Sequence, residues 1–172
     1  ANDIDDVFAK LRYIIVGCEC QWVIVDHLHM LVNVLTEGDE RRGIDTLMNK
    51  LRSLVEETGV GMLLVSHLRR AAGDKGHEQG IEVSLSHLKG SQGIAQLSDC
   101  VIALERNQQA KDKDEANTTR LRVLKSRYTG DTGLACSLMY DTETGRLHEK
   151  EPDEFDDVLN NIDDDYEKQL PW

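Results

Sequence analysis

Apolar residues at Ile4, Val7, Phe8, Leu11, Ile14 and Ile15 recur at the three-to-four spacing of a helix, which predicts one over residues 3–16. Asn2 suits its N-cap, and Asp5 and Asp6 suit a first turn whose free amides carry partial positive charge. Four consecutive apolar residues, Trp22–Val25, then predict a buried parallel strand. A loop follows. Ile44, Leu47, Met48, Leu51, Leu54 and Val55 mark a second amphipathic helix closed near Gly59, and residues 62–66 read as another buried strand. Helix, strand, helix, strand is the order of a parallel sheet wound with right-handed crossovers.

The pattern then changes twice. Residues 69–82 contain three glycines, little apolar content and no period, and are predicted to be a mobile loop. From Val101 onward the period shortens to that of strands joined by turns, over 101–105, 119–126, 134–140 and 146–148. Residues 131–133 and Thr144-Gly145 supply the turn chemistry of hairpins. The expected fold class is therefore α/β, a parallel sheet with antiparallel strands appended at the C-terminal side. Residues 1–150 read as one domain and 151–172 as an acidic, disordered tail ending in Trp172. There is no internal repeat.

A chain of 172 residues can bury one sizeable core. No apolar run approaches the roughly 20 residues needed to span a bilayer, and no signal peptide opens the sequence, so a cytoplasmic setting is expected. Cys18, Cys20, Cys100 and Cys136 lack the paired spacing of a zinc site and read as buried, reduced thiols. The net charge is −12, and the segment 151–172 holds nine acidic residues against one lysine. The rest is close enough to neutral to permit a local basic surface, whereas a protein that coats nucleic acid nonspecifically needs clustered cations.

Several polar residues stand where strands end. Asp26 closes the first strand at its carboxyl end, where open α/β sheets place ligands; a carboxylate there can hold Mg2+ through water, or merely cap a helix. His67 ends the next strand and can touch a terminal phosphate, or simply face solvent. Arg69, Arg70 and Lys75 lie in the glycine-bearing loop that starts at this histidine, and such a loop can track a nucleic-acid backbone. Lys89, Gly90 and Ser91, with Gln96 shortly after, offer small residues and amides for close approach to phosphates, or a cap for a short helix. Arg106 and Tyr140 end two strands and can sandwich a nucleobase, or stand alone on the surface. Lys125 and Arg127 alternate on one strand face; such cations serve either as a phosphate-directed finger or as ordinary solvated charge.

In that order these residues resemble the helicase domain of the phage primase–helicases, the RecA-like hexameric family that includes mitochondrial Twinkle and, more distantly, bacterial DnaB. The resemblance is densest in Ser66-His67-Leu68, Leu88-Lys89-Gly90-Ser91 and Gln96-Leu97-Ser98-Asp99. It continues through Ile102-Ala103-Leu104-Glu105-Arg106-Asn107-Gln108-Gln109 and the KSRYTGDTG run from Lys125 to Gly133. It covers residues 1 to about 150.

The resemblance implies a RecA-like P-loop NTPase core, partial here because its N-terminal portion with the phosphate loop is missing. No G-x-x-x-x-G-K-[ST] occurs in the chain. That loop and the family's general-base glutamate are expected before Ala1, so the chain alone is expected to be inactive. Asp26 is then the Mg2+-associated aspartate, His67 the γ-phosphate sensor, and Arg127 the arginine finger, with Lys125 beside it. Arg106 and Tyr140 would flank the base of ATP or dTTP. Arg69, Arg70, Lys75, Lys89, Gly90, Ser91 and Gln96 would meet single-stranded DNA.

The implied partners are same-chain subunits in a hexameric or heptameric ring, an upstream half or primase domain, and the replicative DNA polymerase through the acidic tail. The setting would be the host cytoplasm if the gene is phage-borne. Ala95 departs from the family, standing where phage relatives often carry arginine, and Arg70 replaces a usually neutral residue. Two other readings remain: a RecA-type recombinase, which shares the sheet, and a catalytically inactive module that tethers a polymerase.

Overall fold

The computed structural model describes residues 4–35, 39–69, 76–90 and 92–150, except for the side chains of residues 33–35. The expectations for Arg70, Lys75, Ser91 and the tail 151–172 lie outside the described residues. Helix α1 runs Ile4–Arg12 and widens into a π-turn, Tyr13–Gly17. Strand β1 is Trp22–Val25. The segment expected to be a loop after it instead forms helix α2, Leu28–Leu35. Its sequence, LHMLVNVL, is apolar almost throughout, so no helical period stands out; Leu28 and Val32, one turn apart, are fully buried.

Helix α3, Glu40–Thr58, begins where the Asp39 carboxylate accepts from the amides of Arg41 and Arg42 at 3.1 and 3.3 Å. It ends at Gly59, whose left-handed φ of 69° lets its amide donate to Val55 O at 2.8 Å. Its inner face is Gly43, Ile44, Leu47, Met48, Leu51 and Leu54, the period read in the sequence. Strand β2, Gly61–Leu64, follows and pairs parallel with β1, Trp22 opposite Gly61 through Val25 opposite Leu64. Leu28, Val32, Ile44, Leu47, Met48 and Leu51, together with Ile94 from helix α4 (Gln92–Leu97), form the main core, against which Phe8, Leu11, Met62 and Leu64 pack. Truncating any fully buried member, such as Leu47, to alanine is worth about 2–5 kcal/mol.

These helices cover one face of the parallel pair only. Trp22, Ile24 and Leu63 on the other face are 70%, 69% and 52% exposed, so neither β1 nor β2 is the fully buried strand its composition predicted. The Trp22 indole lies over Gly61, where a Cβ would come 2.5 Å from Cε3.

The second half of the chain is a four-stranded antiparallel sheet in the order β3-β4-β5-β6: Cys100–Arg106, Thr118–Ser126, Gly133–Tyr140 and Leu147–Lys150. A five-residue helix, α5 (Lys113–Asn117), precedes β4 and is capped by Asp112, whose carboxylate accepts from Glu115 N at 3.0 Å. Too short and too charged to show a period, α5 was not foreseen. The turn before β6 is held by Asp141, whose carboxylate accepts from the Thr144 hydroxyl and from the Glu143 and Thr144 amides. Those bonds favour the ionised form and hold its pKa below the usual carboxylate value.

All four cysteines are free, but none is buried as expected: Cys18 and Cys100 are exposed, and Cys20 and Cys136 half-buried. Cys18 and Cys20 fall in the turn ahead of β1, and Cys100 begins β3, outside the helix-packed core. Among the described residues no helix is long and apolar enough to cross a membrane.

Candidate nucleotide and nucleic-acid site

The β1–β2 ladder runs past its strand ends through Val65 N to Val25 O and Leu28 N to Val65 O, both 2.9 Å. It therefore delivers Asp26 and His67 to the same carboxyl edge. The Asp26 carboxylate is largely exposed and lies 3.9 Å from Nδ1 of His27. The His27 ring stacks on His67 with centroids 4.0 Å apart. His29, the second residue of α2, completes a group of three rings, 5.4 Å from His67 and nearly parallel to it. An exposed hard oxygen at this edge suits a hydrated divalent cation. Among the described residues no three His, Cys, Asp or Glu side chains gather to hold a metal by themselves. Asp26 thus fits Mg2+, which binds through one or two carboxylates, waters and nucleotide phosphates.

His67 also begins the base of the candidate DNA loop. Leu68 bridges Leu88 in antiparallel fashion, Arg69 N donates to His87 O at 2.8 Å, and Lys89 N donates to His67 O at 3.0 Å. The segments around His67 and Lys89, 22 residues apart in sequence, are therefore one hydrogen-bonded piece. The Arg69 guanidinium bonds to Ser86 O across this base and remains exposed. The Lys89 ammonium pairs with Glu40 at 3.1 Å. Gly90 has φ 108°, and a Cβ there would collide with Ile44 Cδ1. Asn107, Gln108 and Gln109, prominent in the sequence but without a role there, secure the other side of the loop. Gln79 bridges Asn107, Gln108 N donates to Glu78 O at 2.9 Å, and the Gln79 and Gln109 amides meet at 3.4 Å.

Lys125, in β4, and Arg127, just past its end, converge on one place. The Lys125 ammonium donates to the carbonyls of Ala95, Gln96 and Ser98 at 2.7, 3.2 and 2.8 Å, capping the C-terminus of α4. Arg127 donates to Gln96 O at 2.9 Å and pairs with Asp99 at 3.0 Å. Asp99 also holds Arg52 at 2.7 Å, and the bonds from Glu56 and Asp99 raise the Arg52 pKa further. The exposed Gln96 thus meets both cations through its backbone carbonyl.

Arg106, Thr119 and Leu138 share one row of the antiparallel sheet, and Tyr140 lies two residues beyond Leu138, so Arg106 and Tyr140 occupy the same face. The backbones of β3 and β5 are about 10 Å apart, which leaves room for a planar ring between their side chains. Here the Arg106 guanidinium is turned to Ala116 O at 2.7 Å and Asn117 Oδ1 at 3.2 Å, at the end of α5.

The structure brings Asp26, His67, Lys89 and Gly90 into one neighbourhood and Lys125, Arg127 and Gln96 into another. No contact joins the two groups or joins Arg106 to Tyr140 among the described residues. Sequence reading passed over His27 and His29, although the Asp26-His27-Leu28-His29 spacing, directly after a strand, was the signal for them.

Parallel strands ending on a carboxylate and a histidine, helices packed behind them, and an antiparallel meander following define a RecA-like α/β fold. A KaiC-like protein of the archaeon Pyrococcus horikoshii OT3 has a similar fold, with a TM-score of 0.57 and 14% identity, over 85% of this chain and 56% of that one. Residues 1–149 match the DnaB-like helicase C terminal domain, and the chain belongs to that family. It is 43% identical over 145 residues to a DNA helicase/primase of Enterobacteria phage T3, a match that covers 84% of this chain and 25% of that protein. The chain thus spans about a quarter of that relative's length.

Proposed function

We propose that this chain is the C-terminal part of a replicative, ring-forming 5′-to-3′ DNA helicase that couples NTP hydrolysis to movement along single-stranded DNA. One observation carries the reading. The His67 carbonyl accepts from the Lys89 amide, so the strand end beside Asp26 and the segment offered to DNA move as a unit. Membership of the DnaB-like family and the similarity to a phage helicase/primase support it.

In this reading Asp26 would hold hydrated Mg2+, which when bound would supply positive charge against the phosphates of ATP or dTTP. His67 contacts the γ-phosphate and shifts when it departs. Arg69, Lys89, Gly90 and Gln96, with Arg70, Lys75 and Ser91, meet the DNA backbone. Arg106 and Tyr140 flank the base. Arg127 reaches the neighbouring subunit's nucleotide after leaving Asp99, and Lys125 keeps α4 in place behind it. Residues 1–150 belong to the motor, which works in the cytoplasm as a hexameric or heptameric ring, and 151–172 form a tail that recruits the replicative polymerase.

The test is Arg127→Ala in the intact protein. DNA-stimulated hydrolysis is expected to fall by about 10³-fold or more while nucleotide binding persists. Turnover that survives the change would remove the finger from the reading.

A further inference from the structure

We propose that His29 is a positioning residue that fixes the Lys89–Gly90 turn to the ring of His67, and so passes events at the nucleotide edge to the DNA-contacting segment. This rests on the helicase reading given above. His29 Nε2 lies 3.1 Å from Lys89 O. A carbonyl oxygen only accepts, so Nε2 carries the hydrogen and His29 donates. The residue is 3% exposed, and its other ring nitrogen, Nδ1, is buried with no hydrogen-bond partner among the described residues. A second proton at Nδ1 would be an unmatched buried donor, so the ring is held neutral. Burial, chiefly, lowers its pKa; the bond to the Lys89 carbonyl opposes this, and the charges of Lys89 and His67 reinforce it.

The geometry makes a continuous series of contacts. Asp26 adjoins His27; His27 stacks on His67 at 4.0 Å; His67 lies 5.4 Å from His29; and His29 holds the Lys89 carbonyl. The closing link is the Lys89 amide on the His67 carbonyl. The Lys89 peptide units are therefore gripped from both sides, by the His67 backbone and by the His29 side chain. Gly90, the next residue, rests on Ile44, with His29 Nε2 3.9 Å from where its Cβ would stand. Rotation of the His67 ring changes its stacking on His27 and its approach to His29, which holds the Lys89 carbonyl. A leucine at position 29 would fill the space without holding that carbonyl. A glutamine would place an N–H donor at nearly the same reach.

The experiment compares His29→Leu and His29→Gln with the unaltered intact protein. It reads the ratio of NTP turnover with and without single-stranded DNA, together with the thermal midpoint. Losing one buried hydrogen bond in the coupling element is expected to reduce the ratio about tenfold in His29→Leu. His29→Gln is expected to restore it to within about twofold, with the two variants unfolding within a few degrees of each other. An unchanged ratio in His29→Leu, with stimulation intact in the parent, overturns the positioning role and leaves the helicase reading standing. Equal losses in both variants also overturn it, because packing and not the donated bond would then carry the effect. If the parent shows no stimulation by DNA at all, the helicase reading fails and this inference fails with it.

Discussion

Removing the carboxylate of Glu105 should destabilise the protein more than any other single polar change in the described residues. Glu105 is 6% exposed, in β3. Its Oε1 accepts from Val83 N at 2.8 Å and from Arg122 Nε at 3.0 Å. Arg122 also meets the exposed Glu82 at 3.2 Å. In Glu105→Ala the Val83 amide, buried beside it, loses its acceptor at a cost of about 1–3 kcal/mol. Breaking a buried ion pair from one side costs about 3–5 kcal/mol in total. Arg122 keeps Glu82 and some solvent, which places the expectation at the lower end, about 3 kcal/mol. Glu105→Gln retains an acceptor for Val83 and should cost about half as much. Urea unfolding followed by circular dichroism gives each value, and Arg122→Met alone and combined with Glu105→Ala closes a double-mutant cycle. A loss below about 1 kcal/mol for Glu105→Ala, or strict additivity in the cycle, would show that the pair does not hold β3, β4 and the 82–83 segment together.

Three further outcomes follow from the geometry. Gly90→Ala should cost about 1–3 kcal/mol in the same unfolding assay, because alanine is strained at φ 108° and its Cβ would displace the fully buried Ile44; a neutral result would mean that the turn relaxes freely. Lys125→Met should cost about 1–2 kcal/mol by uncapping three carbonyls at the end of α4, and thermal midpoints equal to those of the parent would refute the cap. Stability should fall as pH drops below 6.5, because the unfolded chain then protonates at position 29 while the folded ring, facing His27, His67, Lys89 and Glu40, stays neutral to a lower pH. The decline should be shallower in His29→Gln, and identical pH profiles for variant and parent would refute the assignment.

The sequence disclosed most where one physical signal dominated. The inner face of α3 was legible because its period persists for about three turns, from Ile44 to Val55, ahead of a stopping Gly59. The four antiparallel strands were legible because turn residues separate them. Helix α2 was hidden because LHMLVNVL is apolar on nearly every side, and α5 because KDEAN has no apolar face. Burial of β1 was overestimated for a related reason. A run apolar at every position implies two covered faces, but the described helices cover only the one bearing Val23 and Met62.

The candidate site divides along the same line. Asp26 and His67 could be read from type and place, because a polar side chain directly after an apolar strand is conspicuous in one dimension. What joins them to Lys89 could not. The Lys89 amide reaches His67 over 22 residues, and His29 reaches the Lys89 carbonyl over 60, through bonds in which three of the four atoms are backbone and leave no mark on residue identity. Lys125 shows the converse. Its type and strand position left a catalytic and a solvated role open, and the resemblance implied the catalytic one. In this structure its ammonium is engaged with the end of α4, while Arg127, two residues on, has one carbonyl bond and an ion pair with Asp99. An ammonium bonded to three carbonyls gives up more by moving than a guanidinium on a partly exposed carboxylate. Under the proposed helicase reading the two cations are therefore unequal, Lys125 the support and Arg127 the one to swing. Exchanging their roles in the reading would require breaking three bonds at the helix end for each catalytic step.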